Sequence, residues 1–250
     1  MPTPSPAPTE TPTATIVWFP PSATPTPFIP PTIPPTVEQR PGLDEVIFTD
    51  TFEAPELWTT GVSDSGSVIV AQNQVALAIS RPRLYLFSLR SRPVLDNFYA
   101  EITARTSLCA GKDEYGLLFR VNSANDYYRY VLTCNGQVRL DRVRGGQLAY
   151  IQSLTPSGDA PPGSPGEVRL GVWAVGSEMR FFLDGRYQFT ARDPVFSFGT
   201  MGVFARSASE TAVSVTFSDL LVQQVFYLSP TPSPTPTNTP KPTRTPAATP

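Results

Sequence analysis

EVRLGVWAVGSEMRFFLD, residues Glu167–Asp184, reads as two strands joined by a two-residue turn. Gly176-Ser177, with glycine first, suits a turn of the primed kind, whose twist matches that of the flanking strands. Pairing Val175 with Glu178 sets the register. Ala174 then faces Met179, Val172 faces Phe181 and Leu170 faces Leu183, so one face is wholly apolar. On the other face Trp173 meets Arg180, Gly171 meets Phe182 and Arg169 meets Asp184: a cation beside a ring, a ring over a glycine, and an ion pair. A slip of one residue would turn every side chain over, so a register that satisfies both faces is strongly specified.

A second hairpin joins Tyr127–Thr133 to Gln137–Arg144 through Cys134-Asn135-Gly136. A two-residue Asn-Gly turn would set Leu132 against Arg139 and Tyr130 against Asp141, mixing apolar and charged groups. A three-residue loop with Gly136 in the left-handed conformation shifts the register by one. Tyr130 then faces Leu140 and Leu132 faces Val138, while Arg129 faces Asp141 and Val131 faces Arg139. This register gives a clean core face. Alternation or apolar runs predict further strands at Val46–Phe52, Ser67–Ala71, Gln74–Ser80, Leu84–Leu89, Phe98–Leu108, Glu114–Val121, Leu148–Gln152, Tyr187–Ala191, Thr200–Ala205 and Ala212–Val225. Gln72-Asn73 and Asp184-Gly185 read as hairpin turns, Glu53–Trp58 as a helical turn, and Ser153–Gly166 as an irregular loop. So many short strands with tight turns predict an all-β fold, a two-sheet antiparallel β-sandwich of the jelly-roll kind.

The flanks are different matter. Of 30 prolines, 14 precede Leu43 and 8 follow Leu228. Residues 1–42 and 229–250 therefore read as disordered Pro/Thr-rich linkers around one β domain, residues 43–228. Frequent proline removes backbone donors and fixes φ, which favours an extended chain. The linkers are either plain spacers or O-glycosylated stalks. Ile16-Val17-Trp18-Phe19 is an apolar island too short to span a bilayer. Met1 is followed directly by Pro and Thr, with no signal peptide in view, yet stalks of this type belong outside cells. The expectation is an extracellular or cell-surface protein, with its start upstream or with adjacent modules in a longer chain.

Charge and composition exclude several chemistries. The formal net charge is −2, and the block 43–228 holds 19 acidic and 16 basic residues. That balance gives no footprint for nucleic acid or an anionic membrane. The chain has no histidine, which removes a Ser-His-Asp triad and the commonest metal ligand. The two cysteines, Cys109 and Cys134, form no CxxC pair. If Phe98–Leu108, Glu114–Val121 and Tyr127–Thr133 form an antiparallel meander, both cysteines fall in loops at the same end of the sheet. A disulfide is the expectation, with two separate buried thiols as the alternative. Such a bridge stabilises by about 3 kcal/mol and suits an oxidising compartment.

The order FTDTFE (Phe48–Glu53), LW (Leu57-Trp58), GLLFRVNSANDYYRYVLTCNGQVRLDRV (Gly116–Val143), GVWAVGSEMRFFLDGR (Gly171–Arg186), GTMGVFA (Gly199–Ala205) and VTFSDLLV (Val215–Val222) resembles the concanavalin A-like lectin/glucanase jelly rolls. It is most similar in flavour to the bacterial laminin-G-like and 3-keto-disaccharide hydrolase-like domains. The resemblance spans nearly all of the block and implies sugar-binding modules, glycoside hydrolases or domains without known ligand. The glucanase branch carries Glu-x-Asp-x-x-Glu on one strand, so that acid and nucleophile flank one bond. No such pattern is present; the nearest acidic pairs are Asp113-Glu114 in a loop and Glu178 with Asp184 at opposite ends of a strand. The resemblance also implies a structural calcium at the rim. Asp50 and Asp219 lie near the first and last strands, well short of the roughly six to eight oxygens calcium takes; otherwise no cofactor or metal is expected.

A flat ring with polar groups around it suits a pyranose, which offers an apolar face and a fringe of hydroxyls. The outward set Trp173, Phe182, Arg180, Arg129, Arg139 and Asp141, joined by Arg120 and Tyr127, has those residue types. The alternative is that a second layer, such as the Ser153–Gly166 loop, covers Trp173 and Phe182 as a minor core. The leading expectation is a non-catalytic module binding a glycan or other surface polymer. A structural or protein-interaction module and a divergent glycoside hydrolase are the alternatives.

Overall fold

Both hairpin registers stand as the alternation requires. Val175 pairs with Glu178 and so on down to Leu170 with Leu183, and Arg129 pairs with Asp141, Tyr130 with Leu140 and Leu132 with Val138. Gly136 has φ +81° and its N–H reaches the Thr133 carbonyl at 3.0 Å, the three-residue loop expected. Gln72-Asn73 and Asp184-Gly185 are tight turns with positive φ at both residues, as primed turns demand. The structure, a computed structural model, describes residues 38–226. The expectations for the remainder of the two linkers, Ile16–Phe19 included, lie outside the described residues.

The strands are β1 (Leu43–Asp50), β2 (Gly61–Ser63), β3 (Gly66–Ala71), β4 (Gln74–Ile79), β5 (Tyr85–Leu89), β6 (Phe98–Leu108), β7 (Glu114–Ser123), β8 (Asp126–Thr133), β9 (Gln137–Arg144), β10 (Gln147–Pro156), β11 (Gly166–Val175), β12 (Glu178–Leu183), β13 (Arg186–Arg192), β14 (Thr200–Arg206) and β15 (Val213–Val225). A short 3-10 turn, Pro55–Leu57, occupies the expected helical turn. One sheet has nine strands in the order β13-β12-β11-β6-β15-β4-β3-β2, with β1 also on β15; the other has six, β10-β9-β8-β7-β14-β5. The two-sheet antiparallel sandwich is therefore the observed fold. β15 serves two neighbours on one side: Val213–Phe217 pairs with β4, and Leu220–Val225 pairs with β1. The change of partner falls at Asp219, where φ is +54° and the register on β6 shifts.

The core lies between the sheets. Leu170, Val172, Phe181, Ala100, Ile102, Val215 and Phe217 from the larger sheet meet Leu117, Phe119, Tyr128, Tyr130, Leu140 and Val203 from the smaller. These are the inward halves of each alternation, as burial of one face per sheet requires.

Three expectations change. The three strands expected as a meander are split, because β6 lies in the nine-stranded sheet and β7 and β8 in the six-stranded one. The Cys109–Cys134 disulfide is present, with Cα atoms 5.7 Å apart, and it ties the end of one sheet to the end of the other. β10 runs on to Pro156, into the segment read as a loop. Arg169 pairs with Glu101 of β6 at 2.8 Å; Asp184 instead accepts the Arg169 backbone N–H.

The start of β1 and the end of β15 meet. Phe226 N–H donates to the Gly42 carbonyl at 2.9 Å, and Leu43 pairs with Val225. A Cβ on Gly42, whose φ is +76°, would come within 2.0 Å of the Phe226 carbonyl oxygen, so only glycine allows this approach.

Candidate functional site

The expected outward set divides between opposite surfaces. Trp173, Phe182 and Arg180 lie on β11 and β12, with their side chains on the outer face of the nine-stranded sheet. Trp173 and Phe182 are only 3% and 1% exposed. The Ser153–Gly166 loop is not their cover. Residues 39–41, read as linker from their composition, strap across them. Trp173 Nε1 donates to the Pro41 carbonyl and Arg180 Nη1 to the Gln39 carbonyl, each at 3.0 Å. The Arg40 guanidinium sits 5.3 Å from the Tyr99 ring centre and 5.6 Å from that of Phe182. Arg180 stacks on Trp173 at 4.8 Å and pairs with Glu178. This satellite cluster, completed by Tyr99, Val175 and Val225, offers no free ring face to a ligand.

Arg120 also leaves the set. Its fully buried guanidinium donates to the carbonyls of Gly176, Phe196 and Asp96 at 2.8, 2.9 and 3.2 Å. It staples segments of both sheets at one end of the sandwich. Burial lowers its pKa, against smaller opposing contributions from Tyr128 and Asp96.

Arg129, Arg139, Asp141 and Tyr127 do come together, on the outer face of the six-stranded sheet. The strand registers array that face in rows. Tyr150, Asp141, Arg129, Leu118, Gly202 and Leu89 form one row across the six strands; Arg139, Val131, Gly116, Phe204 and Phe87 form the next; Gln137, Thr133, Glu114, Arg206 and Tyr85 form a third. Adjacent strands lie about 4.8 Å apart, so long side chains reach across rows. Arg129 Nε donates to Asp141 Oδ2 and Arg139 Nε to Asp141 Oδ1, both at 2.7 Å. Arg139 Nη2 reaches Glu114 Oε1 at 2.8 Å, and Arg206 Nη1 reaches Glu114 Oε2 at 3.2 Å. The result is an unbroken Arg129–Asp141–Arg139–Glu114–Arg206 chain. Burial works against charge on Arg129 and Arg139, but the two carboxylates outweigh it and hold both pKa values above the usual arginine range.

Rings bracket this floor. Arg129 lies 5.8 Å from the Tyr85 ring centre and 5.6 Å from that of Phe204, and Arg139 lies 5.1 Å from Tyr150. The Tyr127 hydroxyl meets that of Tyr85 at 3.4 Å. Burial, then Tyr127, push the Tyr85 phenol well up, with Arg129 opposing. Tyr150 stands 64% exposed at the β10 edge, while Tyr85, Phe87 and Leu89 are half-buried along β5. Two cavities follow β5. One, of about 450 Å³, is lined by Leu57, Leu89, Asn122 and Phe198; the other, of about 330 Å³, by Thr60, Ser63, Tyr85 and Phe87; Thr59 borders both.

Glu114, Arg206, Tyr85 and Tyr150 were missing from the expected set. The alternation of Leu148 and Tyr150 could have flagged Tyr150. Glu114 and Arg206 meet across 92 positions of sequence, a pairing local pattern cannot show. As for calcium, Asp50 accepts Arg90 Nε at 2.7 Å, Trp58 Nε1 at 3.0 Å and the Phe52 N–H at 2.8 Å. Among the described residues no group of three or more His, Cys, Asp or Glu could hold a metal ion. Among them, too, no helix is long and apolar enough to cross a membrane.

No family model matches the sequence, and no curated protein matches it. Solved structures share the fold. The carbohydrate-binding module CBM66 from Bacillus subtilis superposes with a TM-score of 0.55 at 20% identity, over 67% of this chain and 96% of that one. A Bacillus subtilis protein of unknown function with a galectin-like fold gives 0.52 at 11%, over 73% and 97%. The catalytic domain of an endo-1,3-beta-glucanase (laminarinase) from Thermotoga petrophila RKU-1 gives 0.52 at 10%, over 72% and 98%. At these identities the likeness establishes the two-sheet jelly-roll fold, and function has to come from the site.

Proposed function

We propose that this domain is a non-catalytic, extracellular glycan-binding module whose site is the outer face of the six-stranded sheet. One observation carries the reading: the exposed Tyr150 ring and the half-buried Tyr85 and Phe87 rings stand over a buried, ion-paired guanidinium floor whose open member is the half-exposed Arg206. Rings take the apolar face of a sugar, and a donor held by Glu114 yet still half-exposed, as Arg206 is, takes its hydroxyl fringe. The shared fold with a carbohydrate-binding module adds support.

Catalysis is disfavoured by the same floor. Retaining or inverting glycoside cleavage needs one carboxyl free to give a proton to the leaving oxygen. Asp141 and Glu114 each accept from two arginines instead. The disulfide supports an oxidising compartment.

The test is binding of the full chain to a panel of plant, algal and bacterial polysaccharides by affinity electrophoresis. Retardation by at least one polymer, lost in Tyr150→Ala, is the expected result. Silence across the panel overturns the reading in favour of a structural module, and turnover of any polymer overturns the non-catalytic part.

A further inference from the structure

We propose that the ligand is an acidic polysaccharide, with its carboxylates directed to the β5–β14–β7 end of this face. The inference rests on the glycan-binding reading and narrows it to a substrate class.

The charges on the face do not cancel. Arg129, Arg139 and Arg206 stand against two carboxylates, Asp141 and Glu114. The other outward residues of the three rows are uncharged. The excess is on Arg206: its side chain is 43% exposed, and its one ion pair among the described residues is the 3.2 Å bond to Glu114. The surroundings add cations. Arg81 and Arg83 lie exposed in the loop entering β5, and Lys112 lies exposed in the loop entering β7. The acids beside them are Glu210, which pairs with Arg83 at 3.4 Å, Asp64 in the β2–β3 turn, and the buried Asp113 next to Lys112. These three cations and three acids balance, and the excess left on the face is the single positive charge centred on Arg206. The described residues as a whole carry 20 acidic and 17 basic side chains, so this one-charge excess runs against the sign of the domain.

Geometry places the excess beside a ring. Tyr85 is the cross-strand partner of Arg206 and lines the 330 Å³ cavity with Phe87, Thr60 and Ser63. A sugar seated on Tyr85 brings a ring carboxylate to the Arg206 fork, whose planar donors match a carboxylate in two parallel hydrogen bonds.

Calorimetry with the full chain separates the outcomes. The probes are polygalacturonate, its fully methyl-esterified form and dextran sulfate. The expected result is binding to polygalacturonate that weakens at least tenfold on esterification and falls with added salt. Arg206→Ala and, independently, Arg81→Ala/Arg83→Ala should each weaken it several-fold, with circular dichroism unchanged. Arg206→Lys should rescue only part, because charge remains and the fork is lost. Equal affinity for the neutral ester overturns the acidic preference and leaves glycan binding standing. Equal affinity for dextran sulfate also overturns it, by reducing it to general charge attraction. Binding to none of the three, with retardation by a neutral polymer in the panel above, overturns the inference alone; silence everywhere removes both.

Discussion

Trp173 gives its indole N–H to the carbonyl oxygen of Pro41, 3.0 Å away and 132 positions earlier in the chain. A residue on a central strand is thereby closed off by a segment whose composition reads as linker. Arg40 fastens the same strap through its bond to the Tyr99 hydroxyl and its place over the Tyr99 and Phe182 rings. Arg40→Ala should cost about 1 kcal/mol, the scale of a cation–ring contact with one hydrogen bond. Chemical denaturation measures the loss. An unchanged midpoint would show that the strap contributes nothing to stability.

Asp141 is fully buried between two guanidinium groups. Removing one member of a buried ion cluster strands the others, at a cost of about 3–5 kcal/mol. Asp141→Asn should therefore destabilise more than the triple change Arg129→Met, Asp141→Leu, Arg139→Met, which removes Asp141 together with both its partners and leaves Glu114 paired with Arg206. Thermal unfolding of the two variants decides, and the reverse order contradicts the ion-cluster account.

Cys109 and Cys134 close a separation of 25 residues between the ends of two different sheets. Replacing both by serine should lower stability by about 3 kcal/mol on the chain-entropy account. Dithiothreitol should lower the unfolding temperature of the parent chain and leave the double variant unmoved.

Asp113 carries a pH dependence. Burial alone would raise its pKa, but the Ser209 hydroxyl and the N–H groups of Ser209, Ala110 and Ala208 outweigh it and hold the carboxyl below its ordinary value. A folded pKa below the unfolded one gives stability that is present above the unfolded value, about 3.9, and lost as pH falls through the folded one. The 207–211 loop, which these bonds pin between β14 and β15, should loosen below about pH 4. Unfolding temperature against pH should show a shallower acid limb in Asp113→Asn; superimposable limbs would rule out this carboxylate as a source.

What could be read from the sequence was local. Both hairpin registers followed from alternation over fewer than twenty residues, because turn geometry and one apolar face suffice to set pairing. The partition of β6 and β7 into different sheets was hidden, since the same alternation serves a meander and a crossover. Of the outward set, Arg129, Arg139, Asp141 and Tyr127 do share one outer face, because their register places them there. The set failed for Trp173 and Phe182, because nothing in either strand announces a cover supplied by Gln39–Pro41. Arg120 was misplaced because φ of +48° and a register shift after Phe119 take it out of the alternation.

The bond between Gly42 and Phe226 puts the doorways of entry and departure side by side. A guest with neighbouring doorways can be spliced into a host chain without forcing the flanks apart. It also meets tension in the weakest geometry a sheet offers. Pulling the two flanks in opposite directions first strips the 39–41 strap from Trp173 and Arg180 and then peels β1 from β15 rung by rung, starting at Leu43 and Val225, as a zipper opens from its tab.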